Sequence, residues 1–396
     1  MIEVGKAFKI QIIFAFLLNV LFPWSWYKLF GFNYVYYQVD PIYLDYAFLL
    51  LTLSLLMAYF IPNLFKKKYV DISNSLIISP GIRKLFYLWV ALRLITLIVF
   101  GGYEGIMDGA ALGSVLNYMG MFLDIRLIYF LYMSYIFKNE KFGELLVASL
   151  VYILISVLGG SRAAIFFIVF CIYLFFIIFK LSAKFKKQLI WFIVFLALLA
   201  PLTFFLATLQ RGTSALAFNF LVNNIITRVS YLEVSAIELE QWSEGTWIQS
   251  VFFDKYSLIN QLQQGINSIV PGDIFSADVH PNQYWRAIFS GYSLEMCRKY
   301  YLSMYSILPT YLTIKYGIGL ACIVYGGVVT LYYLCVNHIK NPMIVVFFAG
   351  YFSYLLFQFF DIAFHMQDLL YFICTYFFVK LMIRIRYSRG KLIIKK

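Results

Sequence analysis

Apolar runs close to the ~20 residues needed to cross the hydrocarbon of a bilayer recur through almost the whole chain. A water-soluble core has no room for so many of them. Of 396 residues, 63% are hydrophobic and 21% aromatic, while only 13% carry charge. Ten segments qualify as spans: Ala7–Phe22, Ile42–Ile61, Leu85–Phe100, Leu116–Phe137, Leu145–Leu158, Ala163–Phe179, Leu189–Leu206, Tyr311–Val336, Met343–Phe360 and Leu369–Ile383. Each must be helical, because a lipid-exposed backbone amide finds no water to bond. The expected fold is therefore an all-α polytopic integral membrane protein of about ten transmembrane helices, with one large, partly helical external loop. Residues 1–208 form a first bundle of seven spans, 209–309 the loop, and 310–396 a second bundle of three spans with a basic tail.

Loop charges orient the set. Lys6 and Lys9 precede the first span; Lys66, Lys67, Lys68, Arg83 and Lys84 separate the second and third. Lys138 and Lys141 lie between the fourth and fifth, Lys180, Lys184, Lys186 and Lys187 between the sixth and seventh, and Lys340 between the eighth and ninth. With Arg384, Arg386, Arg389, Lys391, Lys395 and Lys396 in the tail, these are the even-numbered loops and both termini, which the positive-inside rule places in the cytoplasm. The 209–309 segment holds six basic and eight acidic residues, a net of −2 in a chain of +13, and faces outward. The high isoelectric point is thus topological, drawn to an anionic inner leaflet, and gives no ground for a nucleic-acid partner.

One pair of spans is tight. Only 38 residues separate Lys141 from Lys180, short for two crossings. A single helix there would invert every later loop and put the polybasic ones outside, so two short spans are expected. The turn Gly159–Gly160–Ser161–Arg162 then sits at the outer membrane surface. The first span is not a cleaved signal, because Trp24, Trp26 and Tyr27 follow it as an interfacial belt, without a small-residue cleavage site. Cys171, Cys322, Cys335 and Cys374 fall in spans, and only Cys297 in the external segment, so no disulfide framework is expected. The chain has no Cys/His cluster at metal-ligand spacing, no Gly-rich phosphate loop and no Walker lysine.

Chemistry must therefore come from the few polar groups in the spans and from the external segment. Gly212–Gln241 reads as one interrupted helix with Phe218, Leu221, Ile225, Leu232 and Ile237 recurring along it, able to lie on the membrane or cap the bundle. Trp242–Pro271 is rich in Gln, Ser and aromatics, and Pro271–Gly291 reads as loop. Rings and amides of this kind suit a sugar and equally suit an ordinary folded cap.

Arg162, held at a Gly–Gly turn before a helix, makes an anion site from guanidinium and helix dipole together; a snorkelling arginine is the plainer account. Arg211 closes the seventh span on the same face. Arg228 lies in an apolar stretch and needs either Glu233 or an anionic ligand. Arg286 is framed by Tyr284 and Trp285, for a ligand or a cation–π contact. Asp278 and His280, with Asp273, are loop groups able to act as acid or base. Asp361 and His365 lie four apart at the outer end of the ninth span, with Asp368 a turn on; this is either an oriented base or a loop-end hydrogen bond. Arg93, Asp124 and Arg126 lie inside predicted spans and must face a cavity or one another.

The overall plan resembles bacterial O-antigen or oligosaccharide repeat-unit polymerases of the Wzy type. The resemblance rests on the number of spans, the cytoplasmic ends and a large external loop late in the chain. Locally it rests on Gly159-Gly160-Ser161-Arg162, on Arg228, and on the Pro…Tyr…Gly-x-x-Gly character of Ser306–Leu320. The arginine-x10-glycine repeat of some members is not met, since Tyr173 and Cys297 stand where glycine would follow Arg162 and Arg286.

The resemblance implies polymerisation of undecaprenyl-diphosphate-linked repeat units at the outer face of a bacterial inner membrane. Arg162, Arg211, Arg228 and Arg286 would hold diphosphate or glycan, and Asp278 or His280 would take the acceptor proton. It implies no cofactor or metal, and as partners the bilayer, lipid-linked glycans and a chain-length regulator protein. A lipid-linked oligosaccharide flippase and an O-antigen ligase are the alternative readings.

Overall fold

The computed structural model describes residues 2–31, 39–70, 81–100, 123–158, 164–209, 230–244, 258–269, 307–354 and 362–394, with isolated positions 226, 275, 293 and 295. Among them the chain is all-α, apart from a ladder of two residues on each side, Ile2–Glu3 (β1) against Tyr69–Val70 (β2). The helices are α1 (Val4–Phe30), α2 (Pro41–Phe60), α3 (Gly81–Phe100), α4 (Ile125–Lys138), α5 (Phe142–Leu158) and α6 (Ala164–Ile178). They continue with α7 (Ala183–Leu209), α8 (Leu232–Ser243), α9 (Leu258–Ile269), α10 (Leu308–His338), α11 (Pro342–Tyr351) and α12 (Ile362–Ile394). Among the described residues four apolar stretches are long enough to cross a membrane: Val4–Phe30, Pro41–Leu64, Ala183–Leu206 and Leu308–His338. Phe142–Leu158, Ala164–Ile178 and Pro342–Tyr351 are shorter apolar helices. The set marks a membrane protein.

Helix starts follow local chemistry. Asp40 and Asn341 each precede a proline at the first helical position and accept hydrogen bonds from backbone N–H groups inside the helix. Asp124 caps α4 in the same way, accepting from the N–H groups of Arg126 and Leu127. In α1 the helix widens to π geometry over Phe16–Leu21. Pro23 has no N–H to offer the Asn19 carbonyl four residues back, and that carbonyl instead accepts from the Tyr231 N–H at 3.0 Å.

The core is aromatic. α4 is buried on every face from Leu127 to Ser134, as expected of a helix that is apolar all round and sits at the centre. Phe130 meets Phe175 of α6 and Phe347 of α11, and Phe347 meets Phe372 of α12, all with ring centroids about 5 Å apart. Outward-facing Ile98, Leu198, Ile323 and Leu331 are largely exposed, the pattern of a surface that faces hydrocarbon.

Connectivity gives the bundle two chemically different ends. At one, Lys9 bonds Asn63, Lys68 donates to the Asn337 and Ile339 carbonyls, Lys141 and Arg83 meet Glu144, and Glu140 accepts from Ser182. At the other lie Asn19, Asp40, Asp124, Thr310, Asp368 and α8. Lysine and arginine dominate the first end, and carboxylates the second.

Several expectations change. The tight 141–180 stretch does form two helices, α5 and α6, that pack on each other. The fourth span was expected to enclose Asp124 and Arg126; instead Asp124 terminates α4, because a short carboxylate before an apolar run caps more readily than it continues a helix. Within 212–241, expected as one interrupted helix, the described residues include α8, which begins at Leu232, where the Ser230 hydroxyl accepts from the Leu232 N–H. The Gln/Ser-rich stretch contains α9, which composition alone had hidden. His365 and Asp368 belong to α12, not to the end of the ninth span, and Asp361 lies outside the described residues.

α10 is two rods. Gly317, at φ 75° and ψ 162°, breaks it between a short buried helix ending at Tyr316 and a longer apolar one. Only glycine adopts that backbone region freely. No atom lies within 4 Å of a Cβ placed there, so the penalty for any other residue is conformational alone. Gly317→Ala is expected to lower stability by about 1–2 kcal/mol, read as an earlier melting transition in detergent; an unshifted transition would mean the break is not needed.

Candidate functional site

The acidic end carries two polar clusters. The first joins α4 to α12. From the first turn of α4, Arg126 reaches across to the second turn of α12 and forms a two-point pair with Asp368, Nη1 to Oδ2 at 2.8 Å and Nη2 to Oδ1 at 2.6 Å. The same guanidinium holds Asp124, Nη2 to Oδ2 at 2.7 Å and Nε to both carboxylate oxygens at 3.3 Å. Both acids are nearly sealed from solvent, and the arginine side chain is 21% exposed. The Asp124 N–H donates to the Thr375 hydroxyl, and the Phe372 ring lies 4.8 Å from the guanidinium carbon. His365, one turn before Asp368, is within electrostatic reach of it.

Both two-point edges of this guanidinium are taken by carboxylates, so Arg126 acts as a brace between α4 and α12. Two carboxylates on one cation leave the cluster one negative charge in excess. Of the three charged residues expected inside spans, Asp124 and Arg126 do face one another. Their third partner, Asp368, was not foreseen as such, because a contact across 242 residues leaves no local trace in the sequence. Among the described residues no ion pair to Arg93 is formed, and it lies partly buried on α3.

The second cluster is α8, wedged between α2 and α10. The Glu240 carboxylate accepts the Asp40 N–H at 2.8 Å, which fastens α8 to the capped start of α2. Tyr43 and Ser243 share a hydrogen bond beside it, and the Thr310 hydroxyl donates to Ser235 at 2.8 Å. Glu233, Glu238 and Glu240 are all buried. Glu233 is 2% exposed, and burial pushes its carboxyl well above the usual carboxylate range. Among the described residues, its Oε2 has no hydrogen-bond partner. A helix with polar residues on a buried face is legible as amphipathic, but not as acid-inward; only the packing against α2 and α10 sets that direction.

Arg162, Arg211, Arg228, Arg286, Asp278 and His280 lie outside the described residues. Among the described residues, no three His, Cys, Asp or Glu side chains gather as a metal site. Compared with protein-family models, with curated proteins and with solved structures, the chain matches none.

Proposed function

We propose that this chain is a membrane glycosyltransferase that joins polyprenyl-diphosphate-linked oligosaccharide units at the outer face of a bacterial plasma membrane. In this reading the chain crosses about ten times, keeps both termini in the cytoplasm and turns residues 209–309 outward. The observation that carries it is the seating of α8, from that polar segment, on the carboxylate-rich end of an apolar bundle whose opposite end gathers the lysines. A lipid-linked substrate needs this combination: hydrocarbon-facing helices for its tail, and a polar lid at one membrane boundary for its head. The acidic residues near that boundary suit proton removal from an acceptor hydroxyl, and Arg162, Arg211, Arg228 and Arg286 supply charge for a departing diphosphate. Arg126, already saturated by carboxylates, takes no part in binding.

Arg162→Ala should leave carrier lipid and surface lipid bearing single repeat units, visible as loss of the ladder on a glycan gel. A deletion strain separates the neighbouring activities. Single capped units support polymerisation, absence of any exported unit indicates a flippase, and polymer stranded on its carrier indicates a ligase.

A further inference from the structure

The helix α9 is turned inside out for a water-soluble surface. On a helical projection Leu262, Ile266 and Ile259 form one ridge about 60° wide, with Gln264 opposite it and Gln261 about 130° from its centre. In water the ridge would pack inward and the amides outward. The opposite holds at the two edges of the ridge: Ile259 is 70% exposed and Leu262 39%, with Ile266 between them half-buried, whereas Gln261 is 1% exposed. The helix is fixed in that orientation. It packs along α12, and at its far end the Asn267 amide clasps the Phe275 backbone, donating to the carbonyl at 2.8 Å and accepting from the N–H at 3.1 Å.

We propose that the medium outside α9 is the acyl region of the bilayer, so that part of the long polar segment is embedded in lipid and does not project into water. The support on α12 points the same way. Leu369, Ile373, Phe377 and Leu381 recur every four residues and are all exposed, a continuous apolar stripe on the helix to which α9 is attached. A helix of this kind, with an apolar ridge and amides behind it, inserts its ridge among lipid chains and stays there by burial of apolar area. The inference needs only a membrane around the bundle and does not depend on the glycan chemistry.

The test uses the full-length protein reconstituted in phosphatidylethanolamine/phosphatidylglycerol liposomes doped with a phospholipid carrying a diazirine in its acyl chain. After irradiation, the peptide spanning 258–269 should carry adducts at a yield comparable with the peptide containing Ile323 and Leu331, and several-fold above one containing the buried α4. A spin label on Ile259→Cys, in a variant with its native cysteines replaced, gives a second reading. Collisions with dissolved oxygen should exceed those with a water-soluble nickel chelate. An unlabelled 258–269 peptide overturns the proposal, as does a nickel-dominated signal. Dipolar broadening between labels would assign the ridge to a second copy of the chain and overturn it equally.

Discussion

Arg126→Ala should lower the stability of the detergent-solubilised protein by about 3–5 kcal/mol, the usual consequence of stranding a buried charge by removing its partner. Here two carboxylates are stranded together. Asp124 and Asp368 are both close to fully buried, and five hydrogen bonds to them end on one guanidinium. Arg126→Lys should recover little, because an ammonium cannot make the two-point contact with Asp368 while also holding Asp124. The triple variant Asp124→Asn, Arg126→Gln, Asp368→Asn should recover most of the loss. It removes all three charges, and asparagine still caps α4. Thermal unfolding followed by tryptophan fluorescence reads the series. Equal melting of the wild type and Arg126→Ala would show that the acids find other partners.

Glu233→Gln should stabilise the protein, by an amount that grows with pH. The ordinary glutamate value is 4.5, and burial raises that of Glu233 well above it. Below about pH 4 the carboxyl is protonated in folded and unfolded chains alike, and the substitution changes little. As pH rises past 4.5 the unfolded chain releases the proton while the folded one retains it, so stability declines by up to about 1.4 kcal/mol per pH unit. At pH 7 the loss is capped at about 3–4 kcal/mol, 2.5 pH units at that slope. Glutamine, neutral throughout, escapes the decline. Melting profiles from pH 4 to 8 should therefore diverge towards neutral pH; parallel profiles would mean that Glu233 ionises freely in the folded protein.

What was readable in the sequence follows the range of the forces involved. Proline after Asp40 and after Asn341 is a local signal, and it fixes helix starts with little help from the rest of the chain. Lysine placement marks one set of loops, and among the described residues the lysines of that set gather at one end of the bundle. The pairing of Arg126 with Asp368, the inward turn of the glutamates on α8 and the outward turn of Ile259 on α9 were not readable. Each depends on which distant helix lies alongside. Predicted spans also overran their helices where an apolar residue on both sides of Asp124 masked its capping role. The arginines and loop acids singled out for substrate, Arg162, Arg211, Arg228, Arg286, Asp278 and His280, lie outside the described residues.

Gly317 separates two jobs within α10. The short rod before it is locked under α8 through Thr310 and Ser235, while the longer rod after it presents Ile318, Leu320, Ile323 and Leu331 to its surroundings. A bilayer thickened by longer acyl chains or sterol-like lipids is met by a change of tilt in the lower rod. With the helix broken at Gly317, such a tilt would leave the seat of α8, held through Thr310 and Ser235, undisturbed.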